Sequence, residues 1–408
     1  MSRRNIDFLC GVVIVGLLAG VAGLSIMVLL RFIEHLTYHY TFGSLLQGVT
    51  GSSPVRRALG PMVGGALAGL GWWILRSRND IPPLATAIAK RERIRLLPFS
   101  IDAALQAVVV GSGASLGREG APRQLAAALG DFGMGWLRRL SDRDREILLA
   151  CAAGAGLGAV YAVPVGGALF TARIMLKSWH PRALGAALIT SSLAVAVASL
   201  VTHNQPNLSW PNTHMSYLLT ALALMLAPLT LVVALAFNRL MAAAERVAVT
   251  RSWLLIPAIA GAGLLIGICS HWWPELPGNG KSILTATIAG GMNLSTAAAV
   301  LALKPLLTAV FLRAGATGGM LTPALATGAA AGTLFVLTVN AVAGTHFGVP
   351  ALSLAGAAGV LAITQRTPFW AAIFVWELAR PPLWLLLVFL TTALGAYGIR
   401  QLIERDPR

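Results

Sequence analysis

The chain has 408 residues, of which 56% are hydrophobic and 11% are charged, and its formal net charge is +16 at pH 7. Soluble domains carry about 25% charged residues, so this composition excludes an ordinary soluble protein and indicates an integral membrane protein. The positive charge would suggest nucleic-acid binding in a soluble chain. Here the Lys and Arg residues gather in short connections between apolar segments, which is the positive-inside pattern, and no nucleic-acid partner is expected.

The apolar segments predict an all-α polytopic protein. The first of them, residues 8–30, contains no charged residue and exceeds the ~18 residues that a spanning helix needs. We interpret it as a retained helix rather than a cleaved signal peptide. Gly and Pro interrupt several segments, so the helices should outnumber the hydropathy peaks. Further spans are predicted to begin near residues 62, 100, 147, 183, 217, 253, 283, 306, 349 and 383.

Charge placement predicts the orientation of the chain. Basic residues near both chain ends, at positions 3–4 and 400–408, predict that both termini are cytoplasmic. Three isolated cysteines lie in apolar runs and form neither a disulfide framework nor a metal-ligand spacing. We therefore expect no metal and no cofactor.

A carboxylate, Glu119, lies between two long apolar stretches, within residues 111–122. The glycines of this segment predict a helix break, and Pro122 fits just inside the next helix start. A helix start exposes several N–H groups and the positive end of a dipole, which attract anions. At membrane depth this arrangement builds solute sites in transporters. The alternative is a solvated loop carboxylate paired with Arg118.

A second broken helix start is predicted half a chain later. Residues 315–323 resemble residues 113–122, and each stretch contains a proline a few residues after its glycines. The similarity predicts a duplication, with a first transmembrane repeat over residues 1–205, a second over 216–408 and a seam at 202–215. The site would then lie between the halves, near the midplane. Chance similarity in a Gly/Ala-rich chain is the alternative.

Two further features admit an ordinary explanation. Arg173 lies in an apolar run, where a central arginine costs about 2.5–3.5 kcal/mol on insertion scales. It either snorkels to the cytoplasmic interface or faces an aqueous vestibule. Residues 277–282, Pro-Gly-Asn-Gly-Lys-Ser, are too short for a phosphate loop, and we predict a turn at the membrane surface there.

Together these motifs resemble the CLC family of chloride channels and chloride/proton antiporters, over nearly the whole chain. The strongest match is Gly-Arg-Glu-Gly at residues 117–120, which resembles the family's gating-glutamate motif. Residues 154–170 resemble the stretch that leads to the family's second glutamate. Residues 319–323 resemble its Gly-x-Phe-x-Pro filter segment, with Leu321 in place of the Phe.

The resemblance implies a CLC-type fold: a homodimer in which each subunit has two inverted halves of many tilted, broken helices and its own anion pathway. It implies a halide carrier of the bacterial inner membrane rather than an enzyme, with chloride as the ion and Glu119 as the gate. A single membrane domain without a soluble regulatory domain is expected. The implied anion-binding residues are Asn79, Gly117, Arg118, Glu119, Gly120, Met320 and Leu321.

Three departures from the family pattern bear on mechanism. Asn79 stands where a serine normally coordinates chloride, although an amide also donates hydrogen bonds. Arg173 and Ile174 replace the antiporters' glutamate pair, and the inner proton-transfer position falls on Ile174. The late pore tyrosine has no clear counterpart, because Tyr397 is out of register. Since neither Arg173 nor Ile174 can supply a proton, we predict chloride movement with weak or absent proton coupling.

Other functions stay open at this stage. The fluoride-exporting branch of the family also departs from the serine motif and does not require the usual inner glutamate, but Ala121 stands where a threonine is expected in that branch. A polytopic membrane enzyme would need a nucleophile–base pair or metal ligands, and the sequence suggests none. A structural or assembly protein would not need Glu119. The sequence does not separate a channel from a slow uncoupled transporter.

Overall fold

The computed structural model describes residues 3–202, 208, 210–211 and 216–405. Over these residues the chain folds into seventeen α-helices, with a 3-10 turn at Met134–Trp136 and a π turn at Thr171–Met175. The helices are Arg3–Tyr38 (α1), Leu45–Gly51 (α2), Pro54–Arg78 (α3), Leu84–Ala89 (α4), Leu96–Gly111 (α5), Gly120–Gly133 (α6), Asp142–Tyr161 (α7), Pro164–Phe170 (α8), Pro181–Thr202 (α9), Leu218–Arg246 (α10), Leu255–Cys269 (α11), Lys281–Ile288 (α12), Leu294–Arg313 (α13), Leu321–Ala343 (α14), Val349–Thr364 (α15), Pro368–Ala379 (α16) and Leu385–Arg405 (α17).

Seven of these helices are long and apolar enough to cross a membrane: α1, α3, α9, α10, α13, α14 and α17. Shorter apolar helices, such as α5, α11, α15 and α16, lie between them in the chain. The prediction of an all-α, multi-pass membrane protein with more helices than hydropathy peaks is therefore confirmed. The only strand-like pairing among the described residues is an isolated bridge between Gly117 and Gly319.

The chain divides into two compact units. The first contains Met1–Arg31, Gly71–Val108 and Arg118–Asn207, and the second contains Phe32–Leu70, Val109–Gly117 and Leu208–Arg408. Each unit thus draws on several separate stretches of the chain. Most of the predicted seam at 202–215 lies outside the described residues, and the duplication of the two halves stays a prediction.

In the first unit, α7 forms the centre of the core. Its residues are buried from Ile147 to Tyr161, and many of them are Gly or Ala. A Cβ placed on Gly156 would lie 2.5 Å from the carbonyl oxygen of Pro122 in α6. Small residues of this kind allow helix backbones to approach closely, as in other membrane proteins. This close packing fixes α6, the helix that follows Glu119.

In the second unit, α14 and α15 pack backbone against backbone. A side chain on Gly328 would meet the carbonyl oxygen of Gly356 at 2.5 Å. Side chains on Gly332 or Gly356 would overlap the carbonyl oxygens of Leu352 and Gly328, respectively. Because the interface has no room for a Cβ at these three glycines, the start of α14 is held by a tightly packed helix pair.

Candidate functional site

Gly117 and Gly319, one from each of the two related motif segments, exchange a pair of backbone hydrogen bonds. The amide of Gly117 donates to the carbonyl oxygen of Gly319 at 2.6 Å, and the amide of Gly319 donates to that of Gly117 at 2.9 Å. A Cβ on the neighbouring Gly318 would lie 2.8 Å from the Cβ of Leu116, so glycine is needed for this approach. Residues that the sequence places half a chain apart therefore meet in the second unit.

The segment between α5 and α6 takes a shape that requires glycine at one position. Gly113 has φ +117°, and a Cβ there would overlap the hydroxyl of Tyr38. The same hydroxyl donates to the carbonyl oxygen of Ser112 at 3.2 Å. Further along, Ser115 Oγ lies 3.1 Å from Thr308 Oγ1. These contacts, all in the second unit, hold the residues that lead to Glu119 in a fixed non-helical path.

Glu119 occupies the N-cap position of α6 and is 1% exposed. The hydroxyl of Tyr161 donates to Glu119 Oε2 at 3.2 Å. The guanidinium of Arg118 lies 5.0 Å from the centroid of the same tyrosine ring, within cation–π distance. The carboxylate is thus enclosed by protein. The alternative of a solvated loop carboxylate does not hold.

A buried polar network holds α6 from the side of α5. Asp102 accepts from Trp72 Nε1 at 2.7 Å on one oxygen, and from Gln106 and Gln124 at 2.9 Å each on the other. Gln106 also donates to Gln124 Oε1 at 2.9 Å. Because Gln124 belongs to α6, the network fixes the rotation of the helix that begins beside Glu119. The contacts among Asp102, Gln106 and Gln124 were not predicted from the sequence, although polar residues within an apolar run indicate buried partners.

Arg173 and Ile174 hold the position that the family resemblance assigns to inner proton transfer. Arg173 and Ile174 lie in the π turn Thr171–Met175, and both are half-buried. The Arg173 guanidinium lies 4.9 Å from the centroid of Trp179. A second arginine, Arg123, stacks 4.6 Å from the centroid of Phe170, which directly precedes the turn. Both stacking contacts keep a fixed positive charge beside this turn.

Asn79 follows the last residue of α3 and caps that helix. Its backbone amide donates to the carbonyl oxygen of Leu75 at 2.9 Å, and its side-chain Nδ2 donates to the same oxygen at 3.3 Å. Arg95 Nη1 approaches Asn79 Oδ1 at 3.5 Å. In this arrangement the Asn79 carboxamide donates to a carbonyl oxygen in the last turn of α3. The NH₂ group of Asn79 has a second N–H, which is the donor that an anion contact from this residue would use.

The filter segment begins α14. Met320 is the N-cap residue and is half-buried, and Leu321 is the first helical residue and is 4% exposed. No side chain caps this helix start. The first N–H groups of α14 have no acceptor within their own helix, which is the property that suits such a position to an anion. The described residues contain no cluster of His, Cys, Asp and Glu that could hold a metal ion.

A protein-family model and known relatives both match this chain over most of its length. The family model described as voltage gated chloride channel matches residues 64–401. The voltage-gated ClC-type chloride channel ClcB of Escherichia coli O9:H4 (strain HS) is 28% identical over 387 residues, which cover 90% of this chain and 89% of ClcB. ClcB of Escherichia coli strain K12 has the same identity and coverage.

Solved structures share the fold. The crystal structure of a slow cyanobacterial Cl⁻/H⁺ antiporter superimposes with a TM-score of 0.79 at 17% identity, covering 98% of this chain and 99% of that one. The structure of a CLC-type fluoride/proton antiporter gives a TM-score of 0.75 at 18% identity, covering 96% and 94%. At these identities the comparison shows the architecture alone.

Proposed function

The chain belongs to the voltage-gated chloride channel family, known as CLC, and we propose that it carries chloride across a membrane through a pathway gated by Glu119, with weak or absent proton coupling. The family is one of anion channels and transporters, and the seven apolar helices fit that role. The observation that carries the proposal is the burial of Glu119 at the start of α6, within a glycine-rich break.

The gate is argued from competition for the same donors. Glu119 is the N-cap residue of α6, and its side chain makes no capping hydrogen bond in this structure. Its negative charge nevertheless lies at the helix start where a halide would bind, so we propose that carboxylate and halide exclude one another there. Protonation removes the negative charge and leaves these donors to the halide. The Tyr161 hydroxyl supports one carboxylate oxygen at 3.2 Å and orients the side chain. Transport should therefore depend on the protonation of Glu119.

The weak coupling is argued from the residues of the π turn. In the chloride/proton antiporters that the chain resembles, a titratable group on the inner side is expected to feed protons to the gate. Ile174 has no ionisable group, and an arginine holds its proton throughout the physiological range. The positive charges of Arg173 and Arg123 beside the turn also disfavour the approach of a proton. Chloride can then move without an obligatory proton.

A paired flux measurement tests both parts of this proposal. The purified protein is placed in liposomes with a chloride gradient, and chloride efflux and bath pH are recorded together. We expect chloride efflux with little accompanying proton movement. A fixed, substantial proton flux driven uphill by chloride would overturn the weak coupling, and absence of any halide efflux would overturn the transport proposal.

Fluoride export is the second candidate, and the residue that favours it is Asn79, which replaces the chloride-coordinating serine of the family pattern. In this structure its amide caps α3, so the usual serine hydroxyl has no direct replacement. Efflux of fluoride and chloride from parallel liposomes separates the two. Faster fluoride efflux would favour this candidate, and a chloride preference would reject it.

We further infer that the protein works as a homodimer, each subunit with its own pathway, in a bacterial inner membrane with both termini cytoplasmic. The basic residues at both chain ends support this orientation. The exposed large apolar side chains on α9, such as Leu188 and Ile189, are available for subunit or lipid contact. Mass measurement of the detergent-solubilised protein tests the dimer, and a monomer there would reject it.

A further inference from the structure

A buried lysine lies at the turn between α11 and α12. Lys304 of α13 is completely buried, and its ammonium donates to the carbonyl oxygens of Leu276 at 3.0 Å and Gly278 at 2.7 Å. An ammonium has three N–H donors, so one is left over. No carboxylate in the described part of the chain forms an ion pair with Lys304. A buried charge without a counter-ion is unfavourable, and buried lysines are normally paired.

The neighbouring asparagine has an unsatisfied donor at the same turn. Asn279 is 6% exposed, and its Oδ1 accepts from the backbone amide of Lys281 at 3.2 Å. This bond fixes the orientation of the carboxamide, because a flipped amide would turn its NH₂ towards another N–H. The remaining group, Nδ2, is buried and has no hydrogen-bond partner. Buried polar groups in folded proteins rarely lack one.

The turn is also the start of a helix without a side-chain cap. α12 begins at Lys281, and its N-cap residue is Gly280, with φ +101°. A Cβ at Gly280 would lie 3.5 Å from Lys304 Cε, so the lysine side chain reaches this helix start. The first N–H groups of a helix lack acceptors within it and carry the positive end of its dipole. The Lys281 amide already donates to Asn279 Oδ1, so the next N–H groups, those of Ser282 and Ile283, are the ones that remain at this helix start. They lie at the same buried turn as the Lys304 ammonium and Asn279 Nδ2.

We propose that this turn binds a halide ion between the ammonium of Lys304, the Nδ2 of Asn279 and the first N–H groups of α12. A water molecule could accept some of these hydrogen bonds, but it cannot neutralise the lysine. A monovalent anion accepts these hydrogen bonds and also neutralises the lysine. The chemical class is set by the donors, which offer N–H groups and positive charge. The carboxylate of Glu275, one residue before Leu276, has a buried Oε2 without a hydrogen-bond partner and forms no ion pair with Lys304, so it leaves the ammonium uncompensated.

The ion is structural, and it is distinct from the one that passes Glu119. The amide of Gly278 donates to the carbonyl oxygen of Gly113 at 2.9 Å, so the turn is tied directly to the segment that precedes the gate. Ser115 Oγ, in the same segment, approaches the carbonyl oxygen of Lys304 at 3.4 Å. An ion that neutralises Lys304 stabilises the turn and, through it, this segment.

Bromide diffraction provides the direct test, since bromide replaces chloride and gives an anomalous signal. In crystals of the full chain grown in bromide, we expect an anomalous peak in hydrogen-bond contact with Asn279 Nδ2 and Lys304 Nζ. The variant Asn279→Asp supplies a tethered carboxylate in place of the ion and retains the acceptor for the Lys281 amide. The peak should vanish in that variant and persist in Asn293→Asp, an equivalent change at the exposed N-cap of α13.

Thermal unfolding in gluconate and in bromide gives a second measurement. Bound halide stabilises the native state with the logarithm of its concentration. We expect Asn279→Asp to have a higher Tm than the unmodified chain in gluconate and a smaller bromide-dependent rise, while Asn293→Asp keeps the full rise. An unmodified protein without a bromide peak at the turn, or a peak that survives Asn279→Asp, overturns the proposal. Neither outcome depends on which halide the protein transports.

Discussion

Gly117 and Gly319 exchange two backbone hydrogen bonds, at 2.6 and 2.9 Å, although they belong to opposite halves of the sequence. Each glycine stands just before a helix whose first turn contains a proline, Pro122 in α6 and Pro323 in α14. The bridge therefore joins the two motif segments that sequence similarity relates. A change in the path of one segment is transmitted directly to the backbone of the other.

The path of the first segment can be tested at Gly113. Gly113→Ala should lower the free energy of unfolding by about 1–3 kcal/mol, because alanine is strained at φ +117° and its Cβ overlaps the Tyr38 hydroxyl. Chloride efflux should fall with it. The control is Gly185→Ala, where a Cβ meets nothing within 4 Å and about 0.5–1 kcal/mol of stabilisation is expected. Equal stability of the two variants would contradict the requirement for glycine at position 113.

The gate is tested at Glu119. Glu119→Ala should transport chloride at a rate that no longer varies with pH, because the variant has no carboxylate to protonate or to compete for the helix donors. Glu119→Gln should behave similarly while preserving the side-chain volume. Chloride efflux from liposomes across a pH series is the measurement. A pH dependence in Glu119→Ala equal to that of the unmodified protein would remove this residue from the gate.

The absence of an inner acid is tested at Ile174. Ile174→Glu introduces a titratable group at the position that the family resemblance assigns to proton transfer, and the proton flux per chloride should increase. Ile174→Gln has nearly the same shape without an ionisable group and serves as the control. Paired recordings of chloride and pH on both variants provide the comparison. Indistinguishable proton fluxes would mean that another feature, such as the arginines beside the π turn, limits coupling.

The polar network beside α6 is tested at Asp102. Asp102→Asn replaces one of the two acceptor oxygens by an NH₂ group, which faces either the Trp72 donor or the two glutamine donors, and we expect a loss of about 1–3 kcal/mol in the free energy of unfolding. Glu92→Gln makes the same chemical change on an exposed carboxylate and should be close to neutral. Thermal unfolding in detergent compares the two. A neutral Asp102→Asn would show that the network does not hold α6.

An ion pair outside the predicted spans gives stability a pH dependence. Burial raises the pKa of Asp144, but hydrogen bonds from Arg4 and Ser141 and the charge of Arg182 outweigh it and hold that pKa below its usual range. A carboxyl with a lowered native pKa adds stability above its ordinary pKa of about 4, and this contribution is lost as pH falls further. Asp144→Asn should therefore lower Tm at neutral pH and flatten its decline below pH ~4.

Melting curves over an acidic pH series check this expectation. Asp142→Asn, an exposed change in the same first turn of α7, is the control and should retain the acid-dependent decline. A decline in Asp144→Asn as steep as in the unmodified protein would show that the Asp144 pairs contribute nothing to acid sensitivity.

The family and the fold could be predicted from the sequence because the motifs that indicate them contain Gly and Pro, whose effects on the backbone are local. Gly and Pro mark the helix breaks at residues 111–122 and 315–323 whatever surrounds them, and the apolar runs mark the spans. Partners were harder to predict. Nothing in the spacing of Asp102 and Gln124 shows that they meet, since the intervening residues include a non-helical segment whose path depends on tertiary contacts.

The turn at residues 277–282 is more enclosed by protein than its composition suggests, and its place at the membrane surface stays a prediction. Gly and Asn are typical of exposed turns, but residues 276–280 are buried, and Lys304 of α13 donates to the carbonyl oxygens of Leu276 and Gly278. A lysine inside an apolar run was the available signal, because ionisable residues in spanning segments usually serve a specific partner. A lysine in an apolar run indicates that hydrogen-bond acceptors face it, but the sequence does not identify the backbone carbonyl groups that do so.

The glycine contacts between α14 and α15 limit where the molecule can move. With no side chains between them at Gly328, Gly332 and Gly356, the two backbones interlock, and sliding one past the other would drive carbonyl oxygens into Cα atoms. The residues at the head of α14 therefore begin a tightly packed helix pair. The proposed gate at Glu119 needs only the displacement of one carboxylate side chain, which is far smaller than a movement of these helices.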